Sequence, residues 1–201
     1  MLGYQGLTMV FGSPLVLGGV LRAVTSTAPS GQFGLYAYGG DISGAQVFYS
    51  NDVAYIGDQQ QMNDEEAADV LFTTGPDNAL VGNPDAGATG RTAVPTWSNR
   101  MIFVPTATSA SRRVGFTGDV TAEPDVDTSG FVFYGATALH QGGVEDDGGA
   151  YDNTLYGLWT AVPTQLDRVW SLQWNVTNGN DDGYVAVTLR TTPPAHPFAL
   201  V

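Results

Sequence analysis

Few side chains in this sequence could take part in covalent chemistry. The chain has seven basic residues, all of them arginine, and it has no cysteine. Without lysine there is no Schiff-base catalysis, and without cysteine there are no thiolate nucleophiles, cysteine-ligated zinc sites or disulfide bonds. Any catalysis must therefore depend on histidine, carboxylates, hydroxyl groups or binding alone.

Two histidines are the next candidates. His196 lies in the proline-rich segment PPAHPF, whereas His140 lies in TALHQGG, where a strand-like run meets a long Gly/Asp loop. A serine hydrolase is excluded because the chain has no GxSxG motif and His140 has no evident triad partner. His140 is therefore either a solvated loop residue or a single site histidine, and the sequence leaves both open.

Carboxylates are abundant but lie where turns are expected. The four glutamates are Glu65, Glu66, Glu123 and Glu145, and none falls inside a strand-like run. A glycosidase needs two carboxylates on rigid elements facing each other, so this class is disfavoured. The segment NGNDDG (178–183) begins like a calcium loop, but the position of its bidentate glutamate is Leu189. We predict no metal site and no cofactor, and leave open a weak structural cation in the acidic loops at 125–127 and 145–149.

Aromatic side chains are what remains. In FGLYAYGG, Tyr36 and Tyr38 stand two residues apart and so share one face of a strand, next to a Gly-Gly turn. In VWSLQWN, Trp170, Leu172 and Trp174 also share a face. Each of these stripes is either packed core or the wall of a binding pocket, and the pattern alone does not distinguish the two.

The elements that position these residues are predicted to be short strands. The chain has 26 Gly, 11 Pro and only 13% charged residues, a composition typical of strands joined by tight turns. We predict an all-β fold, either an antiparallel jelly-roll-like β-sandwich or a flattened barrel, with one short helical connector at 63–70. The predicted strands are 33–38, 46–49, 53–56, 70–73, 101–104, 113–116, 131–134, 155–161, 169–174 and 184–190.

Two regions are predicted, an apolar N-terminal segment at 1–31 and a single β domain at 32–201. Residues 7–21 form an apolar run of signal-peptide length, followed by small residues, but no basic residue precedes it. It is read either as an atypical secretion signal or as the first strands of the fold. We expect a secreted protein, with Asn175 of the sequon Asn175-Val176-Thr177 as a glycosylation site.

The net charge of -13 bears on the partners. Binding to nucleic acid or to anionic membranes depends on basic residues that displace counterions, so neither is expected as a partner. A homodimer is left open.

Several segments together resemble a group of secreted ascomycete β-proteins, most of them without an assigned function. The segments are FGLYAYG, ISGAQVFY, AYIGD, PTWSN, RVGFTG, GFVFYG, LWTAVPT, VWSLQWN and VTLRTTPP, in this order over residues 32–194. Proteins similar to this group include fungal hetero-Diels-Alderases, which join a tropolone ortho-quinone methide to a sesquiterpene such as a hydroxyhumulene. The resemblance implies a cofactor-independent pericyclase acting on small apolar organic substrates.

For this activity we expect an apolar cavity at one end of the fold. Its predicted catalytic residues are His140, Tyr38 and Arg100, and its predicted ligand-binding residues are Tyr36, Trp97, Tyr134 and Trp159. A cycloaddition needs two partners held close together and a hydrogen-bond donor for the developing oxyanion. The alternative is a secreted carbohydrate-binding or cell-wall protein without catalysis, because secreted β-proteins with aromatic and acidic rims bind sugars.

Overall fold

A computed structural model describes residues 28–87, 94–118, 125–141, 154–176 and 183–195. These residues form an all-β fold with no helix of seven or more residues among them, which confirms the predicted fold class. The strands are β1 (Tyr36–Gly39), β2 (Ile42–Ser50), β3 (Val53–Gly57), β4 (Ala68–Thr74), β5 (Leu80–Pro84), β6 (Arg100–Pro105), β7 (Gly115–Thr117), β8 (Val126–Asp127), β9 (Phe131–Tyr134), β10 (Thr137–Gln141), β11 (Leu155–Tyr156), β12 (Trp159–Pro163), β13 (Val169–Trp174), β14 (Val185–Ala186) and β15 (Thr188–Arg190).

Six of the strands close into an antiparallel barrel. Around the ring the order is β2, β4, β5, β6, β7 and β3, and β3 pairs with β2 again. Closure pairs the edge strands of the sheet with each other, so the ring leaves no open edge of its own for another chain to pair with.

Outer strands extend from two sides of the barrel. From β2 the sheet continues through β1, β15 and β10, with β9 and β11 paired to β10, and from β3 it continues through β13, β12 and β14. Strand β2 serves both the barrel and the outer sheet because Ile42–Gln46 pair with β1 while Val47–Ser50 pair with β3. Strand β8 pairs only with the end of β6 in the described part of the chain.

Alternation along the strands builds the core. In β4 the residues Ala68, Val70 and Phe72 are buried while those between them are half-exposed, as the two-residue period of a strand requires. The buried side chains form one cluster that runs along the chain from Phe33 to Leu189, and Ala28 packs against it. Removing this apolar surface from water is the main favourable term for folding.

Turn residues adopt the conformations that their types predict. In the SND turn between β2 and β3, Asn51 and Asp52 have φ of 50° and 60°, and in GPDN Asp77 and Asn78 have φ of 52° and 57°. Asn and Asp tolerate this left-handed region because their short side chains bond to the nearby backbone.

The predicted helical connector at 63–70 is wrong in position and in type. A single 3₁₀ turn lies earlier, at Gln59–Gln61, where Asp58 accepts a hydrogen bond from the Gln60 N–H. Residues 65–66 form a turn and Ala68 already begins β4. Ala68 is the first buried position in the alternation of β4, and Ala67, which is buried as well, precedes the strand. Pairing of β4 with β2 and β5 extends this segment into the sheet.

Most predicted strand runs contain a strand, with three differences. Strands β5, β8 and β10 were not predicted; β5 and β10 carry Gly, Asn or His among their apolar residues. The run 155–161 is divided between β11 and β12, and the run 184–190 between β14 and β15. Residues 1–27, including most of the predicted N-terminal segment, lie outside the described residues.

Candidate functional site

A cavity of about 310 Å³ opens beside the outer sheet, where the end of β6 meets β8, β10, β11 and β13. Each element contributes one or two side chains from widely separated parts of the sequence. The cavity is lined by Val104, Pro105, Thr106, Ala107, Asp127, His140, Tyr156, Leu158, Trp174 and Asn175. Its wall is mostly apolar or aromatic, with His140 and Asp127 as its ionisable groups apart from the Tyr156 phenol.

Strand pairing directs His140 into this cavity. In β10 the side chains of Ala138 and His140 are buried and alternate with half-exposed neighbours. His140 pairs with Phe131 on one side and with Tyr156 on the other. Since two strands flank it, the histidine sits in the sheet and not in a loop, and only 3% of its surface is exposed.

The His140 ring is packed between aromatic rings and lacks a hydrogen bond at one nitrogen. Phe131 and Trp174 contact it edge to face, with ring centroids 5.1 and 5.6 Å away. Nε2 is buried and has no hydrogen-bond partner among the described residues. The Asp127 Oδ2 atom is 3.5 Å from Nε2, which is longer than a normal hydrogen bond. A buried polar atom without a partner is unusual, and a site that binds a ligand is one explanation for it.

Burial sets the charge state of this histidine. Burial lowers the pKa of His140 below 6.5, and this effect outweighs the attraction of Asp127 and the backbone bond at Ser129, both of which raise the pKa. The imidazole is therefore neutral at neutral pH.

Local hydrogen bonds hold Asp127 in place. Its Oδ1 atom accepts hydrogen bonds from the Ser129 N–H at 3.0 Å and from the Ser129 hydroxyl at 3.1 Å. This turn occupies Oδ1 and leaves Oδ2 facing the imidazole. Asp127 therefore presents one carboxylate oxygen to the edge of the His140 ring.

Two tryptophans form the back wall. Trp174 lines the cavity, and behind it Trp159 packs edge to face at 4.6 Å between ring centroids. The Trp159 indole N–H donates to the Ala138 carbonyl at 3.1 Å, so its polar edge is satisfied. Trp159, predicted as ligand-binding, supports the wall from behind.

The structure separates Arg100 from the cavity. Arg100 begins β6 whereas Val104 and Pro105, at the other end of this strand, line the cavity. At roughly 3.3 Å per residue the two ends are about 17 Å apart. The Arg100 guanidinium instead lies 3.6 Å from the Asp52 carboxylate.

The predicted tyrosine face of β1 is neither core nor cavity wall. Tyr36 and Tyr38 are both half-exposed while Ala37 between them is buried. The Tyr38 hydroxyl donates to the Thr192 carbonyl at 2.9 Å, and the Arg190 guanidinium lies 5.9 Å from the centre of its ring. Burial, followed by the negative charges of Asp69 and Asp85, raises the pKa of Tyr36. These tyrosines form a polar outer surface of the sheet.

Trp97 and Tyr134 lie elsewhere as well. Trp97 is part of the core, stacked on Tyr49 at 4.4 Å between ring centroids, and its indole N–H donates to the Glu66 carbonyl at 2.8 Å. Tyr134 ends β9 and is 62% exposed. Of the seven predicted catalytic and ligand-binding residues, the structure brings His140 alone to the described cavity.

Sequence reasoning missed most of the cavity. The sequence indicates Asp127 only as a ligand for a weak cation, and Trp174 only as one of three residues in a stripe that is either core or pocket wall. Asn175, the predicted glycosylation site, is exposed and lies at the cavity with φ of 50°. A usable signal was the alternation in VWSLQWN, which gave the correct face for Trp174 but not what that face meets.

Within the described ranges there is no group of three or more His, Asp or Glu side chains placed to hold a metal ion. The loops at 145–149 and 178–182 lie outside these ranges, whereas 125–127 lies inside them. Among the described residues no helix has the length and apolar character needed to cross a membrane.

Comparison with known proteins gives no relative. No protein-family model matches the chain, no curated protein matches its sequence, and no solved structure matches it.

Proposed function

We propose that this protein is a cofactor-independent pericyclase, an intermolecular hetero-Diels-Alderase that joins a tropolone ortho-quinone methide to a sesquiterpene such as a hydroxyhumulene. The observation that carries the proposal is the neutral, buried His140, which lines an aromatic cavity and whose Nε2 has no hydrogen-bond partner in the described part of the chain. The closed six-strand ring favours a flattened barrel over a jelly-roll-like sandwich as the scaffold for this site.

The chemistry required is modest. A cycloaddition forms its bonds in one concerted step, so the protein need not supply a nucleophile, a metal or a redox group. Holding the two partners in reacting geometry contributes about 7–11 kcal/mol. A hydrogen bond from His140 Nε2–H to the heterodiene oxygen stabilises the charge that develops there, because the site is already arranged for it.

The size of the cavity suggests which partner it holds. Ligand pockets usually enclose about 300–1,000 Å³, and this cavity, at about 310 Å³, is at the small end of that range. We place the smaller, oxygen-bearing tropolone partner inside, with its oxygen at His140. The terpene then lies at the mouth against Leu158, which is 41% exposed.

The surroundings favour this assignment over a lectin. Sugar sites present tryptophan faces to solvent for stacking, but Trp97, Trp159 and Trp174 are buried and Trp170 is half-buried against the core. Asp127 is the single carboxylate on the cavity wall, whereas sugar sites usually carry several acceptors for hydroxyl groups. The wall is mostly apolar and aromatic, with His140, Asp127, Thr106, Tyr156 and Asn175 as its polar side chains. Such a wall suits a largely apolar ligand with few oxygen atoms.

We further propose that the protein is secreted, glycosylated at Asn175 and independent of cofactors, nucleic acid and membranes. The exposure of Asn175 and the net charge of -13 support these points. A glycan at Asn175 would lie at the edge of the cavity.

The test is to incubate the purified protein with hydroxyhumulene and a tropolone quinone methide generated in solution, and to follow the product by chiral chromatography. We expect one stereoisomer, formed faster than in buffer, with no added cofactor. Removing the donor in His140→Leu should lower the rate about 10- to 1,000-fold, and His140→Gln, which keeps a neutral donor, should retain more activity. Both variants should first be shown to melt as folded proteins.

Two results would contradict the proposal. Racemic product at the uncatalysed rate would exclude catalysis of this reaction. If, in addition, a glycan array gave a signal that His140→Leu abolished, the His140 cavity would be a sugar site and the lectin alternative would be correct.

A further inference from the structure

A second cavity, of about 330 Å³, lies next to the first and is lined by different chemistry. Strand β8 separates the two, with Val126 lining the second cavity and Asp127 the first. The polar side chains of the second cavity are Asp52, Ser109, Ser111, Arg113 and Asp125, and Phe103 is its aromatic residue. Nothing in the proposed cycloaddition uses these groups.

The loop that carries the two serines is fixed in shape. Its first turn is closed by a hydrogen bond from the Ser109 N–H to the Thr106 carbonyl at 3.2 Å. The Arg112 guanidinium spans the loop and donates to the carbonyls of Thr106 at 3.0 Å and Ala107 at 3.2 Å. The hydroxyls of the loop are therefore held in position before any ligand arrives, which reduces the entropy lost on binding.

Donors face the cavity from this loop. The Ser109 hydroxyl accepts a hydrogen bond from the Ser111 N–H, and the Ser111 hydroxyl accepts one from the Arg113 N–H, at 3.4 and 3.2 Å. Since both oxygens act here as acceptors, each retains its own O–H to donate. The Arg113 guanidinium forms no ion pair with the described residues, so it adds up to five N–H donors.

Acceptors come from two separate segments. Asp52 accepts from the Tyr49 hydroxyl at 2.9 Å and Asp125 accepts from the Thr108 hydroxyl at 3.3 Å, in each case through Oδ1. The Oδ2 atom of each carboxylate has no bond from the described residues and can accept from a ligand. The cavity thus combines donors and acceptors, and Asp125 is held next to the serine loop by hydrogen bonds from Thr106 and Thr108.

The Phe103 ring supplies an aromatic surface in the second cavity. It lies against β7 at Gly115, where a Cβ atom would be only 2.6 Å from the ring atom Cζ. Glycine at this position lets the ring lie close to the strand. An aromatic ring flanked by hydrogen-bonding groups is suited to the C–H face of a sugar.

We propose that this second cavity binds a neutral polyhydroxylated ligand, one or two sugar rings of a glycan. Adjacent hydroxyls of a sugar both donate and accept, which matches a cavity lined by carboxylates as well as by serine and arginine. The two carboxylates and the net charge of -13 disfavour an anion, while Arg113 disfavours a cation. The site is independent of the cycloaddition, so either proposal can fail alone.

The experiment is a calorimetric and saturation-transfer NMR titration with methyl glycosides of glucose, mannose, galactose and N-acetylglucosamine, and with cellobiose and chitobiose. At least one probe should bind with a Kd of about 1 mM or tighter. Asp125→Asn and Arg113→Gln should each weaken binding about tenfold or more, because each removes a charged hydrogen-bond partner. Ser111→Ala, a smaller change, should weaken it several-fold.

The matched control is Asp167→Asn, which removes the same charge from a side chain that is 85% exposed and lies away from the cavity. It should leave glycoside binding unchanged, and all variants should keep the wild-type melting transition. The proposal is overturned if no probe binds, or if folded Asp125→Asn, Arg113→Gln and Ser111→Ala all bind as the wild type does. It is also overturned if His140→Leu abolishes binding, because the sugar would then occupy the first cavity.

Discussion

His140 and Asp127 face each other at 3.5 Å, from Nε2 to Oδ2, without forming a hydrogen bond. A carboxylate beside a histidine normally favours the charged imidazolium, yet burial wins here and the pKa of His140 is lowered. The pair therefore holds a neutral donor beside a negative charge. The lowered pKa of His140 bears on how stability depends on pH, and on the pH dependence of the proposed cycloaddition.

The first prediction concerns stability and pH. Because the pKa of His140 is lowered on folding, the unfolded state binds more protons between that lowered pKa and about 6.5, so stability falls as the pH drops through this window. His140→Gln should remove this part of the slope. Asp127→Asn should lower the pKa further and extend the loss to lower pH, because the attraction that opposes burial is gone. Urea unfolding at pH 7.0 and at pH 5.5 measures how the free energy of unfolding of each variant changes with pH. A pH dependence in His140→Gln equal to that of the wild type would contradict the assignment.

The second prediction concerns activity and pH. A neutral donor is already present above about pH 6.5, and a cycloaddition requires no proton transfer from the protein. The rate of coupling should therefore be level between about pH 6.5 and 9, corrected for the uncatalysed reaction at each pH. A steady fall in rate over this range would mean that His140 must be protonated to act.

The third prediction tests the placement of Trp97 in the core. Trp97→Ala removes a side chain of which only 7% is exposed, together with its hydrogen bond to the Glu66 carbonyl. The free energy of unfolding should fall by about 3–5 kcal/mol. The comparison is Tyr134→Ala, in which the lost ring is 62% exposed and the cost should stay near 0.5 kcal/mol. Chemical denaturation measures both. Similar small losses in the two variants would place Trp97 at a surface.

The fourth prediction compares two glycines with positive φ. Gly57 has φ of 119°, and a Cβ atom there would overlap the Arg168 carbonyl oxygen, which also accepts from the Asp58 N–H. Gly57→Ala should therefore cost about 3 kcal/mol or more. Gly135 has φ of 58° with open space around it, so Gly135→Ala should cost only about 1–2 kcal/mol for the backbone conformation. Equal costs in thermal or urea unfolding would contradict this difference.

Local signals in the sequence were sufficient for most of the elements. Turn residues such as Asn51 and Asp77 have positive φ as predicted. Along 169–174 the strand is found, but burial does not alternate, because Ser171 is buried together with Leu172 and Trp174. The helical prediction at 63–70 was wrong because pairing with distant strands decides the structure of this segment. Its capping pattern and alanines favour a helix locally, but pairing with β2 and β5 extends Ala68–Thr74 into a strand.

The sequence by itself determined the all-β class, most of the strands, the turn types and the absence of lysine and cysteine chemistry. For His140 it left two readings open, a solvated loop residue or a site histidine. These features depend on residue type and on near neighbours, which a sequence shows directly.

Only the tertiary structure decided which aromatic faces are covered. Trp97, Trp159 and Tyr38 carry the same signal as a pocket wall, but the first two are buried by strands distant in sequence and the third lies on the outer sheet. The meeting of His140 with Asp127 and Trp174 depends on β6, β8, β10 and β13 coming together. Strand order is set by the burial of the whole apolar surface at once, and no local pattern encodes it.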